Sequence, residues 1–268
     1  MEARNLLKLV LGCTLLIGCA NNSKEQPETE PTVKVSDNKP DSVYVYHISA
    51  NGTETRYKMI YYTYDAIGNI TCELDSFMET TIDIRKEKQE IKYNSKGCIT
   101  EYREYVMYTY TDWIYESCTQ YLYNENNSTS MILLYLSPKE PVEEGYPSEK
   151  FTYTWTDDRH AECMEYTYDR KNEDDPWRAT LRIEYTFGKE YERAQYYSPE
   201  NNSLLYTSEF EYKFDQYGNL VSKERYVDEV FRNGEYYSYE YDANGTILSK
   251  LETQYGNNKY STKYVYFY

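Results

Sequence analysis

Histidine is almost missing from this chain: two in 268 residues, His47 and His160. That scarcity nearly excludes a histidine-built metal centre and leaves little for imidazole acid–base chemistry. Glycine (11) and proline (8) are too sparse for a collagen-like or low-complexity chain. No apolar run approaches the roughly 20 residues of a membrane-spanning helix, and no long segment has helical period. Basic residues are in deficit, 29 against 45 acidic ones, for a formal charge of −16. A surface of that sign repels nucleic acid and anionic headgroups. No Asp-x-Asp-x-Asp-Gly loop is present either, so neither a metal nor a cofactor is expected.

What the sequence has in excess is tyrosine, 36 residues, a strand-preferring side chain. One phrase organises it: Tyr62-Thr-Tyr64-Asp65-Ala-Ile-Gly68-Asn69-Ile70. Aromatics alternate into an Asp, which can accept from the backbone ahead of it. A Gly three residues on supplies the left-handed conformation that closes a tight hairpin. The phrase returns at Asn94 with Gly97, Asp215 with Gly218 and Asp242 with Gly245, and in worn form at Asn124, Thr156 and Gly188. A second set of turn signals lies between these markers, the sharpest being Asn51-Gly52 and Asn233-Gly234. Segments such as Phe151–Trp155 and Leu181–Phe187 alternate apolar with polar, as a sheet with one buried face requires. The expected fold is all-β: a single up-and-down antiparallel meander of about sixteen strands. An open sheet of that width must bend, so it is expected to be curved or half-closed, with Tyr, Phe and Trp on the concave side.

The tandem resembles the YD-repeat or RHS-repeat family of bacterial envelope and secreted proteins, whose signature is Tyr-Asp, two residues, then Gly-Arg-Leu in β-hairpins. Here the Arg position holds Asn69, Cys98, Asn219 and Thr246, and the units are longer than the family's. The resemblance implies the hairpin fold over residues 42–268. With too few repeats to enclose a cargo, it does not imply the toxin role of large members.

Residues 1–18 carry Arg4 and Lys8 followed by an apolar stretch ending in Leu16-Ile17-Gly18-Cys19. This resembles a bacterial lipobox, which implies acylation of Cys19 after removal of 1–18. Val10-Leu11-Gly12-Cys13 also fits the box, but it would leave only a short apolar stretch after Lys8, so Cys19 is preferred. Residues 19–41 are polar and punctuated by Pro27, Pro31 and Pro40, the composition of a flexible tether. Ala20 after the cysteine, by resemblance to lipoprotein sorting rules, implies the outer membrane. The acidic stretch behind it loosely resembles surface lipoproteins of Bacteroidetes.

Candidate sites are few. Cys72, Cys98, Cys118 and Cys163 are expected as buried free thiols, with disulfides the alternative. His160 and Cys163 stand on opposite faces of a strand and form no nucleophile–base pair. The acidic runs fall in turns, where solvation explains them. Trp113, Trp155 and Trp177 remain as possible platforms for a glycan or a protein partner, or as plain core. The reading is a lipid-anchored, non-enzymatic envelope protein, binding or structural. The rivals are a glycan hydrolase on a β scaffold and an outer-membrane barrel, the latter opposed by a mean hydropathy of −0.88.

Overall fold

The Asp-x-x-Gly phrases all close hairpins by one set of contacts. Asp65 Oδ1 accepts the backbone N–H of Ile67 (3.0 Å) and Asn69 (2.8 Å). Asp65 N–H donates to the Asn69 carbonyl (2.9 Å), and Gly68, at φ +87°, donates back to the Asp65 carbonyl (3.0 Å). Asn94 with Gly97, Asp215 with Gly218 and Asp242 with Gly245 repeat the arrangement, their glycines at φ +80° to +83°. The worn units improvise. Asn127 takes the glycine's place at φ +68°, a conformation asparagine tolerates better than most residues. At Thr156 the capping role moves one residue on, to Asp157, whose Oδ1 accepts from Arg159 and His160 (both 2.8 Å). Gly188 sits outside the left-handed region and closes a shorter loop onto the Tyr191 carbonyl (2.8 Å).

The computed structural model describes residues 39–77, 85–108, 111–136, 147–169, 176–255 and 260–268. The residues expected to be signal (1–18) and tether (19–41), Cys19 among them, lie outside those ranges, apart from residues 39–41. Sixteen strands follow in order: β1 (Ser42–Ile48), β2 (Glu54–Tyr64), β3 (Ile70–Phe77), β4 (Lys86–Tyr93), β5 (Ile99–Met107), β6 (Ile114–Tyr123), β7 (Thr129–Leu136) and β8 (Glu149–Trp155). The second half comprises β9 (His160–Tyr168), β10 (Trp177–Phe187), β11 (Tyr191–Tyr197), β12 (Leu204–Phe214), β13 (Leu220–Val227), β14 (Val230–Tyr241), β15 (Ile247–Tyr255) and β16 (Tyr260–Phe267). Each pairs antiparallel with its sequence neighbour.

The sheet does not stop half-closed. β1 pairs β16 over seven residues, from Ser42 opposite Phe267 to Ile48 opposite Ser261, and a closed barrel results. An open meander would leave these two strands as long unpaired edges. Closure satisfies both rows of backbone groups and corrects the expectation of an open curve. A round barrel of sixteen strands at ~4.8 Å spacing and ~40° tilt is about 30 Å across.

A second correction concerns Asn233-Gly234. It lies inside β14, and the hairpin turns earlier, at Asp228 (φ +49°) and Glu229 (φ +66°). That register sets Val227 opposite Val230 and Tyr226 opposite Phe231, whose rings meet edge-on at 5.8 Å. Cross-strand apolar pairing thus outweighs the stronger local turn signal.

The ladder puts Val43, Ile60, Tyr121, Phe151, Cys163, Ile183, Tyr185 and Tyr196 on one face, and that face is buried. It is the inside of the barrel. One apolar cluster lines the inside of β6–β11, and a smaller one, Val43, Val45 and Ile60, sits under the closing seam. The first and last strands of the barrel meet at the rim that carries the Asp turns, the near rim, where Asp41 bonds Phe267 and Tyr62.

Candidate functional site

The repeat places one aromatic just before each near-rim turn, on the inward side: Tyr64, Tyr93, Tyr123, Trp155, Phe187, Phe214 and Tyr241, with Tyr268 at the chain end. A β-bulge precedes five of these turns, at Thr63/Tyr64, Lys92/Tyr93, Leu122/Tyr123, Lys213/Phe214 and Glu240/Tyr241. Bulges bend the strand and steepen its twist. The polar tips then reach back one unit. Tyr93 donates to the Ile70 carbonyl (2.9 Å), Tyr123 to Ile99 (2.6 Å), Trp155 Nε1 to Thr129 (2.8 Å) and Tyr268 to Ile247 (2.6 Å). The four acceptors hold the same place, the first residue of the strand after a turn. Tyr64 donates instead to Pro40 (2.7 Å) and Tyr241 to Asp215 Oδ2 (2.6 Å). Three tyrosines and one tryptophan thus lace a near-rim turn to the unit before it.

The interior also carries charge, concentrated near the seam. Lys58 and the buried Asp75 pair at 2.5 Å, and one Asp75 oxygen, Oδ1, has no hydrogen-bond partner among the described residues. Glu73 stands two residues away on the same face of β3. Burial, then the charge of Asp75, pushes its carboxyl up to about 7, with Lys58 pulling the other way. On the far side of the seam, Lys250 lies 4.1 Å from the Tyr264 ring and 5.3 Å from that of Tyr237. Burial lowers its ammonium's pKa, with Glu252 opposing. Among the described residues no group of three or more acidic, His or Cys side chains is placed to hold a metal ion.

The three tryptophans do not converge. Trp155 belongs to the inner aromatic ring, stacked on Phe187 at 5.6 Å. Trp113 and Trp177 lie at the opposite, far rim on the outer side, each under a lysine: Lys88 at 5.2 Å and Lys150 at 4.4 Å. A single concave aromatic platform made from all three does not exist. Cys72, Cys98, Cys118 and Cys163 are free thiols. Burial pushes the Cys163 thiol up to about 12, which leaves it unreactive at neutral pH. His160 contacts the Asp157 carboxylate (2.9 Å) in an exposed turn, away from the inward Cys163.

The outer face is charged at mid-strand. Arg103 binds Glu101 (2.8 Å), Lys88 binds Glu90 (2.8 Å), Arg182 bridges Glu162 (2.7 Å) and Glu184, and Arg193 binds Glu209 (2.6 Å). These pairs sit on β4, β5 and β9–β12, pointing away from the buried side. The charged side chains thus fall into two sets, an interior group near the seam and a mid-strand set on the outer face.

No family model matches the chain, and no curated protein matches it in sequence. Among solved structures it is similar to a porin-like protein from Bacteroides uniformis, with 12% identity, 90% of this chain and 99% of that chain covered, and a TM-score of 0.44. It is also similar to a porin-like protein from Bacteroides vulgatus, with 10% identity, 84% and 97% coverage, and a TM-score of 0.42. Superpositions this loose carry no argument about function. The class is defined by the chain itself: a closed sixteen-stranded antiparallel barrel.

Proposed function

We propose that this chain is a water-soluble β-barrel held at the outer membrane by lipid on Cys19, a non-enzymatic binding or structural module of the bacterial envelope. The observation that carries the reading is the ionic outer face. A barrel that spans a bilayer presents an apolar band to lipid, where an Arg or Lys near the midplane costs about 2–4 kcal/mol. Arg103, Arg182 and Arg193 would each incur that cost, together with their carboxylate partners. Acyl chains supply the membrane affinity instead, at about 0.8 kcal/mol per buried CH₂.

Mass spectrometry of the mature N-terminus, with fractionation of the intact cell envelope, tests the reading. An acylated Cys19 in the membrane fraction is the expected result. A mature chain with a free amine at another residue and no acyl mass overturns it.

A further inference from the structure

The outer face of β11–β13 carries a concavity of about 540 Å³, toward the far rim and away from the tether's exit. Its charge is one-sided. Glu209, Glu211, Asp228 and Glu229 line it against a single cation, Arg193, which is already held by Glu209 at 2.6 Å. Asp228 spends one oxygen on the Thr207 N–H (2.9 Å), which pins the hairpin tip to the groove wall. Among the described residues the Glu211 and Glu229 carboxylates enter no hydrogen bond or ion pair.

An apolar margin adjoins the acids. Tyr226 lines the groove, and its hydroxyl is turned onto Glu224 at 2.8 Å, which presents the ring rather than the hydroxyl to a visitor. Phe231, 44% exposed, packs edge-on to that ring, and Leu205, 53% exposed, stands two residues along β12 from Thr207. Anionic oxygens beside bare apolar side chains match a segment that alternates the opposite charge with apolar residues. Nucleic acid and acidic glycans are repelled by the same carboxylates.

We propose that this groove is a docking site for an extended basic-amphipathic peptide segment of another envelope protein. Its lysines or arginines would meet Glu211 and Glu229, and its apolar residues Tyr226, Phe231 and Leu205. The inference deepens the binding-module reading and rests on it. Its failure is nonetheless separate, because Cys19 acylation is measured without reference to the groove.

The experiment is titration of the mature chain with a short peptide of alternating Lys and Leu, beside Glu/Leu and Lys/Ser versions. One-to-one binding of the Lys/Leu peptide is expected, with at least tenfold weaker binding to the other two. Glu211→Gln with Glu229→Gln should weaken it about tenfold, and Phe231→Ala severalfold, with thermal unfolding confirming that each variant is folded. Asp158→Lys, a charge change at the near rim, should leave it unmoved. Equal binding of the Glu/Leu peptide, no binding of any peptide, or an equal effect of Asp158→Lys would overturn the proposal.

Discussion

The indole N–H of Trp155 donates to the carbonyl of Thr129 at 2.8 Å, the bond that Tyr93 makes to Ile70 and Tyr123 to Ile99. Trp155 is thus the tyrosine of its own repeat, and its conspicuous side chain serves the barrel wall. The same reasoning covers Tyr93, Tyr123 and Tyr268, whose hydroxyls reach back one unit and serve the wall.

Stability measurements should register that lacing. Tyr123→Phe deletes one bond and leaves the Ile99 carbonyl short of a donor, at a cost of about 1 kcal/mol. Trp155→Ala also loses the stack on Phe187 and should cost about 3 kcal/mol. Urea titration of the two variants measures both. A Trp155→Ala protein as stable as the parent would refute the structural role.

The turn glycines separate by conformation. Gly218 is at φ +83° with open space where a Cβ would stand, so Gly218→Val is penalised by backbone strain alone, by about 1–3 kcal/mol. Gly188 is outside the left-handed region, and a Cβ there would meet the ring of Tyr191, an exposed side chain that can swing aside. Gly188→Val should therefore be the milder change in thermal denaturation, and equal losses would contradict the repeat alignment.

Much of this was legible in the sequence because the information is local. Asp65, Gly68 and their equivalents fix each near turn within five residues, so hairpin count and strand order could be read from spacing. Closure could not: it depends on Val43 and Val45 meeting Tyr266 and Tyr264, more than 200 residues away, and no local pattern encodes that pairing. The far turn at Asp228-Glu229 was hidden behind Asn233-Gly234, a better turn signal that tertiary pairing overrules. Sequence alternation alone did not reveal that Trp155 would face inward while Trp113 and Trp177 faced outward. Asn127 in the glycine's place was readable, since asparagine is the residue that most often substitutes there.

The charged interior predicts an unusual pH dependence. Glu73 has its folded pKa raised from an ordinary 4.5 to about 7. A raised carboxyl binds its proton more tightly when folded, so its contribution is fully present below about pH 4.5 and is lost as pH rises through 7. Between pH 5 and 8 this group should remove on the order of 2 kcal/mol of stability. Urea midpoints across that range test the prediction. Glu73→Gln should flatten the decline, and a variant with the parent's slope would assign it elsewhere.

Lys58→Met strands Asp75 without its cation and should cost about 3–5 kcal/mol. Adding Asp75→Leu should recover most of the loss, because the desolvation of both charges disappears. A double-mutant cycle measures the coupling, and a double variant as unstable as the single one would show that the loss does not come from the stranded Asp75 charge.

The central claim is that the barrel is a water-soluble body and only its lipid belongs to the membrane. The most direct test is the Cys19→Ser chain, expressed, exported and purified without detergent. The account predicts a folded β protein that stays in the supernatant after ultracentrifugation, with a cooperative thermal transition in plain buffer. A Cys19→Ser protein that sediments with the membrane after an alkaline wash, and dissolves only in detergent, would contradict it.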